Sequence, residues 1–283
     1  MNSALIVEGG GLRGLYGAGV IDFLAEKSIS FQTLVGVSMG ACNLANFASN
    51  QPKRNLSLPS HFIDDSRYLS YKRWLMGGDL FGMDFIFETI PTELDIFDYD
   101  AFCARKSRFF IVATDCESGE AVYFDKFDSR EDFTQILKAS CSLPFAAKSV
   151  KYGGKTLLDG GISDPIPLHF AQKQGAEKMV FILTQPKEYK KSAMKFAFLS
   201  KFFYEDALVK TLKSRHERYN ETVLEINALE EKGEIFIIRP SSPLKAKRVE
   251  RDREKLKAAY KQGYSDIQDR FEELTRYLEG VNR

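Results

Sequence analysis

The chain has 283 residues, 44% of them hydrophobic and 28% charged, enough apolar material for a substantial buried core and too much for a disordered chain. Forty Lys and Arg against 39 Asp and Glu leave a formal charge of +1, so no field of either sign marks a nucleic-acid binder. The four cysteines, Cys42, Cys103, Cys116 and Cys141, form no C-x-x-C pair, which excludes a zinc ribbon or a dithiol redox motif and fits a reducing compartment.

The first apolar run stops at Glu8 without the basic start and long apolar stretch of a secretory signal, so a cytoplasmic location is expected. Apolar runs of five residues fall far short of the roughly 20 that cross a bilayer. Any membrane contact is therefore expected to be peripheral, at the inner face.

In chain order, β-rich runs bounded by turn residues predict strands at Ala4–Val7, Leu34–Val37, Phe109–Ala113, Ala121–Phe124, Lys155–Leu158, Met179–Leu183 and Ile235–Ile238. Leu15, Ala18, Ile21 and Leu24 keep helical spacing between the first two, and strand–helix–strand order argues for a parallel α/β sheet covered on both faces. Glu117-Ser118-Gly119-Glu120 reads as a hairpin turn, so part of the sheet is expected to be antiparallel. Residues 74–103 hold seven acids, seven aromatics and no Lys or Arg, the composition of a cap over a cleft. Residues 186–218 carry nine Lys or Arg against four acids, interleaved with Phe196, Phe198, Phe202, Phe203 and Tyr204. Such a segment suits either an anionic membrane interface or an ordinary helix packed on the core. From Leu244 onward, Leu256, Tyr260, Tyr264, Ile267, Phe271, Leu274 and Leu278 keep helical spacing in a charge-dense stretch, giving one or two surface helices. These readings divide the chain into an α/β domain over 1–240 and a C-terminal helical extension over 241–283.

Three motifs carry chemistry. Gly9-Gly10-Gly11-Leu12-Arg13-Gly14 follows the first strand and precedes a helix. Literally it contains G-x-G-x-x-G, but the second strand ends in Gly36-Val37-Ser38 instead of the acid that would hold a ribose hydroxyl of a dinucleotide. A tight structural turn is a second reading. An oxyanion hole is the third, because glycines expose backbone N–H groups to developing negative charge near a helix N-terminus. Gly36-Val37-Ser38-Met39-Gly40 is a G-x-S-x-G sequence between a strand and a helix of small residues. A chain turning that sharply holds Ser38 in strained geometry with its hydroxyl exposed, although a Ser N-cap would read alike. Asp159-Gly160-Gly161 presents a carboxylate at a strand end, or else an Asp-Gly hairpin turn. His61, His169 and His216 are the alternative bases for a serine, and none sits in a distinctive setting.

Together the three motifs resemble the patatin-like phospholipases in type, order and spacing. Val112-Ala113-Thr114-Asp115 and Ala139-Ser140-Cys141-Ser142-Leu143-Pro144-Phe145 extend the likeness to about residues 4–185. The resemblance implies a three-layer α/β/α sandwich with a mainly parallel central sheet, plus C-terminal helices. It also implies a Ser–Asp dyad without histidine, cleaving acyl esters of lipids through an acyl-enzyme. Ser38 would be the nucleophile and Asp159 the base. Gly9, Gly10, Gly11, Arg13 and Gly14 would shape the oxyanion site, with Met39 contributing a further N–H, while Gly36, Gly40, Gly160 and Gly161 let the turns close. No metal or other cofactor is required, and the expected partner is a lipid or acyl ester, not a nucleic acid. An acyltransferase or thioesterase with the same nucleophile, or a lipid-binding protein without turnover, remain the alternatives.

Overall fold

The computed structural model describes residues 2–194 and 197–280, without the side chains of 197–199. Its eight strands are β1 (Ser3–Val7), β2 (Thr33–Val37), β3 (Arg108–Asp115), β4 (Ala121–Phe124), β5 (Val150–Tyr152), β6 (Lys155–Asp159), β7 (Lys178–Ile182) and β8 (Ile235–Ile238). They form one sheet in the order β5-β6-β3-β2-β1-β7-β8, with β4 also on β3. From β3 to β8 the ladder is parallel, whereas β4, β5 and β6 pair antiparallel. Seven strands lie where the hydrophobic runs place them, to within two residues at each end. The three-residue β5 is too short to leave a periodic signal; its trace is Gly153-Gly154, both with positive φ (57° and 76°), which close the hairpin into β6.

Alternate strand residues face opposite sides, and each side has its own core. Leu5, Val7, Leu34, Phe109, Ile111, Val180 and Ile182 pack on one face, beneath the helices Leu15–Glu26, Met39–Ala48 and Arg130–Ser140. Ala4, Ile6, Val35, Val37, Phe110, Val112 and Phe181 pack on the other, beneath the long helix Asp206–Glu231 through Tyr219, Val223 and Ile226. The result is an α/β/α sandwich. The basic segment over 186–218 is thus not one helix: helical hydrogen bonding resumes at Asp206, and from there Leu208, Val209 and Leu212 are buried. Phe196 falls outside the described residues, as does the side chain of Phe198.

Two helices, Arg253–Asp269 and Phe271–Glu279, close the chain. The first lies so close to Leu15–Glu26 that a Cβ on Gly263 would stand 1.9 Å from the Tyr16 carbonyl, and one on Gly19 would stand 2.0 Å from that of Tyr260. Tyr16 donates to Asp266 (2.7 Å) and Tyr260 to Asp22 (2.7 Å), tying the pair together. Helix Leu15–Glu26 is buried on nearly every side as a consequence, with Leu15 to Leu24 all inaccessible. In an open helix Gly→Ala gains about 0.5–1 kcal/mol. Gly263→Ala is expected to reverse that sign and lower stability in urea denaturation, and a gain would contradict the close crossing.

Candidate functional site

Register along β3 decides where the three motifs meet. Ala113 pairs with Val122 of β4 and with Asp159 of β6, while Val112 pairs with Tyr123 of β4 and with Val37 of β2. Since β4 takes one edge of β3, β2 and β6 share the other and run head-on toward each other. Val37 and Asp159 therefore face adjacent residues of β3, and Ser38 is carried to the carboxylate.

Ser38 has φ 54° and ψ −128°, a conformation costing about 1–3 kcal/mol that the surroundings must enforce. Ser140 does much of the enforcing: its Oγ accepts from Ser38 N (2.8 Å) and its hydroxyl donates to Val112 O (2.6 Å). The bend also needs bare backbone. A Cβ on Gly36 would lie 2.4 Å from Ala41 Cα, and one on Gly40 would lie 2.3 Å from Val7 O. Cα-only space thus lets the helix Met39–Ala48 start directly over the strand end.

Asp159 is 2% exposed and held at three points. Its N–H donates to Ser142 O (2.9 Å), its carbonyl accepts from Thr114 Oγ1 (2.8 Å), and Oδ1 accepts from Gly161 N (2.7 Å). The Ser38 hydroxyl acts on the carboxyl closely enough to draw down its proton affinity, yet Oδ2 has no partner in full hydrogen-bond geometry. One carboxyl oxygen is thus left without a hydrogen bond. Burial raises the Asp159 pKa, opposed by Ser38, by the Arg215 charge and by Gly161 N–H. Gly160 turns beneath Val112, whose carbonyl would be 2.2 Å from a Cβ there.

The glycine loop closes the third side. A Cβ on Gly9 would stand 2.8 Å from Ser38 Cβ, and Gly11 has φ 55°. Leu12 N donates to Arg248 O (3.0 Å). Among the described residues the N–H groups of Gly9, Gly10, Gly11 and Met39 have no acceptor, so a row of donors is left open beside Ser38. Arg13 is turned away, with Nε donating to Thr184 Oγ1 (3.3 Å), and Gly14 packs under Met39 while its carbonyl accepts from Asn43 (2.9 Å). These two brace the loop.

Two cavities open from Ser38. A polar one of about 330 Å³ is lined by the glycine loop, Glu8, Asp159, Lys191, Arg215 and Arg248. The other is an apolar channel: a mouth of about 490 Å³ at Ser38 and Leu143 adjoins an envelope of about 760 Å³, and Met39, Cys42, Tyr68, Ile86 and Phe87 line both. One wall is the wide π-type helix Phe85–Leu94, in the acidic, aromatic segment read as a cap. None of the three histidines lines either space. His61 and His169 are exposed, His169 lying 3.3 Å from Glu225, and His216 faces Lys213 O (3.0 Å).

The Patatin-like phospholipase family model matches residues 5–171, 167 of the 283 residues and so more than half of the chain. The chain belongs to the patatin-like phospholipase family. A second model, a domain of unknown function (DUF6363), matches residues 206–279. Among curated proteins, the uncharacterized protein YjjU of Escherichia coli (strain K12) is 30% identical over 249 residues, covering 85% of this chain and 69% of that protein. A probable lipid hydrolase, 463L of Invertebrate iridescent virus 6, is 24% identical and covers 62% of this chain and 64% of that one. Among solved structures, VipD from Legionella pneumophila superposes with a TM-score of 0.51 at 13% identity, over 95% of this chain and 66% of the longer VipD chain. That likeness shows the fold.

The matched ranges divide the site. The patatin-like portion supplies Ser38, Asp159 and the glycine loop, whereas Arg215 and Arg248 come from the second domain. Sequence reasoning singled out the stretch around Ser140 without its role as the brace of Ser38, and it missed Lys191, Arg215 and Arg248 as parts of the site.

Because burial lifts the folded-state pKa of Asp159 above its unfolded value, the group favours folding in acid, and that contribution is lost as pH rises through the folded value. Asp159→Asn keeps an acceptor for Gly161 N–H and cannot ionise. It is expected to be more stable than wild type at pH 7 in urea denaturation, by a margin that shrinks toward about pH 4. A less stable variant at pH 7 would contradict the burial penalty.

Proposed function

We propose that this patatin-like lipid hydrolase is a serine acyl hydrolase that cleaves lipid acyl esters with Ser38 and Asp159. The observation that carries this reading is a buried Asp159 carboxyl, with Oδ2 free of hydrogen bonds and its proton affinity drawn down by Ser38, in one cavity with a strained serine and open backbone donors.

Ser38 Oγ attacks the ester carbonyl carbon as its proton passes to Asp159 Oδ2. The carbonyl π pair moves to oxygen, and the resulting oxyanion accepts from the N–H groups of Gly10, Gly11 and Met39. Each such donor is worth roughly 2.7–4 kcal/mol in a well-studied protease. Collapse expels the alcohol, which takes the proton from Asp159, and leaves an acyl-Ser38 ester. Water then adds to that ester, gives its proton to Asp159, and the fatty acid leaves as Ser38 recovers its proton. An ordinary aspartate, with a pKa near 3.9, is a weak base for this work. Burial moves Asp159 in the helpful direction.

The apolar channel supports an acyl chain as the group held on the carbonyl side, since Met39, Tyr68, Ile86 and Phe87 wall it from its mouth at Ser38 inward. Contact with a lipid surface is supported by exposed Trp74, Leu75, Met76, Phe202 and Phe203. Trp74 donates to Phe145 O (2.7 Å) and Phe145 packs edge-on to Phe203, so these side chains adjoin the rim two residues from Leu143. Among the described residues no helix is long and apolar enough to cross a membrane, and the proposed contact is a peripheral one.

Ser38→Ala and Asp159→Asn are each expected to lower kcat for a fatty acyl ester by at least about 10³-fold while the protein stays folded, and His169→Ala to leave it within about twofold. Turnover near the wild-type rate in either dyad variant would refute the mechanism. A folded wild type with no turnover of any acyl ester would favour a lipid-binding role.

A further inference from the structure

Three cationic side chains, Lys191, Arg215 and Arg248, line the polar cavity beside Ser38, with Arg13 next to them. Among the described residues none of the four lies within 4 Å of a carboxylate in an ion pair. The two acids of the cavity are otherwise engaged. Glu8 accepts from Thr184 N (2.7 Å) and Thr184 Oγ1 (3.0 Å), and Asp159 faces Ser38 and Gly161. Positive charge is therefore in surplus in a small, half-buried space, where mutual repulsion is poorly screened.

These are not solvated surface chains that happen to pass by. Arg215 Nε donates to Gly161 O (2.5 Å), two residues from Asp159. Lys191 is fixed through its backbone to Asn220 in both directions, at 2.8 and 3.0 Å, and Arg248 through its carbonyl to Leu12 N at 3.0 Å. Three separate segments are each pinned so that their charges converge. The strain of that convergence is visible in proton affinity: burial and the neighbouring Arg215 and Arg248 charges push the Lys191 ammonium down to about 7, and burial followed by the Arg248 charge lowers Arg215 to about 10. A bound anion would relieve both.

We propose that Lys191, Arg215 and Arg248 form an anion subsite that takes a phosphoryl group of the ester cleaved at Ser38. The proposal rests on the acyl-hydrolase reading and makes these three residues the ones that set preference for a phosphorylated over a neutral acyl ester. Its geometric support is the layout of the two cavities, which share Gly11, Ser38 and Leu143. A carbonyl held at Ser38 sends its chain along the apolar channel and its head toward the cations. Two guanidinium forks and an ammonium match the several oxygens of a phosphoryl group better than the two of a carboxylate. The DUF6363 region thereby gains a role, since it supplies Arg215 and Arg248.

The test compares a lysophospholipid with the monoacylglycerol of the same chain, both below their micelle concentrations, in the full-length protein. Arg248→Gln and Lys191→Gln are each expected to lower the ratio of kcat/KM for the phosphorylated over the neutral ester at least tenfold, and Arg248→Lys to recover part of it. A ratio within twofold of wild type in both Gln variants overturns the subsite. Inorganic phosphate added to Ser38→Ala protein in a thermal-shift titration then separates the sources. Saturable stabilisation that Arg248→Gln removes shows that free phosphate fills the same site, whereas a lowered ratio with no phosphate effect assigns it to a lipid headgroup. Should Ser38→Ala still hydrolyse both esters, the dyad reading fails, and the ratio and the phosphate titration still read the subsite.

Discussion

One edge of β3 holds the site together. β2 arrives along it in parallel and β6 in antiparallel, and the two strands end on adjacent positions, Val112 and Ala113. No side chain has to reach far for Ser38 and Asp159 to meet, because the backbone ladder has already set their separation. Everything that keeps those two strand ends close also keeps the site intact. Ser140 bridges Ser38 N to Val112 O, Thr114 holds the Asp159 carbonyl, and Gly160 leaves room for the chain to turn under Val112. The site is thus built on the rigid middle of the sandwich, which suits chemistry that depends on preorganised donors.

The same arrangement explains a cost carried by the fold. A non-glycine residue at positive φ and a carboxylate buried with one oxygen unpaired both work against stability, and both sit at the proposed Ser38–Asp159 pair. They persist because two apolar cores clamp the sheet from either side. The C-terminal helices belong to that clamp as well: Arg253–Asp269 covers Leu15–Glu26, whose N-terminus follows the glycine loop, and Arg248 just before it holds Leu12. A charge lining the polar cavity and structural support for the loop come from the same stretch of chain.

Local chemistry explains which parts of this were legible in the sequence. Each of the three motifs is a strand end followed by a tight turn, and glycine spacing writes such turns directly into a few consecutive residues. The strands themselves announced their positions through short β-branched and aromatic runs. What stayed hidden arises from pairing over long separations. That β6 would come in antiparallel and stop opposite Ala113 depends on the Gly153-Gly154 hairpin and on β4 already filling the far edge, neither of which a linear reading can weigh. Lys191 and Arg215 belong to the basic segment over 186–218 and Arg248 to the charge-dense stretch from Leu244, and their convergence is created only by the packing of Asp206–Glu231 and of the segment before Arg253. The wide helix Phe85–Leu94, with Pro91 inside it, likewise became a channel wall only through its place beside Met39 and Tyr68.

The most direct check on the account is a crystal structure of the full chain after reaction with an alkyl fluorophosphonate. The account predicts a bond from Ser38 Oγ to phosphorus, the phosphoryl oxygen within about 3.1 Å of loop N–H groups, the alkyl chain in the channel beside Ile86 and Phe87, and an Asp159 oxygen within about 3.2 Å of Ser38 Oγ. An adduct on any other residue, or Asp159 separated from Ser38 by an intervening side chain, would contradict it.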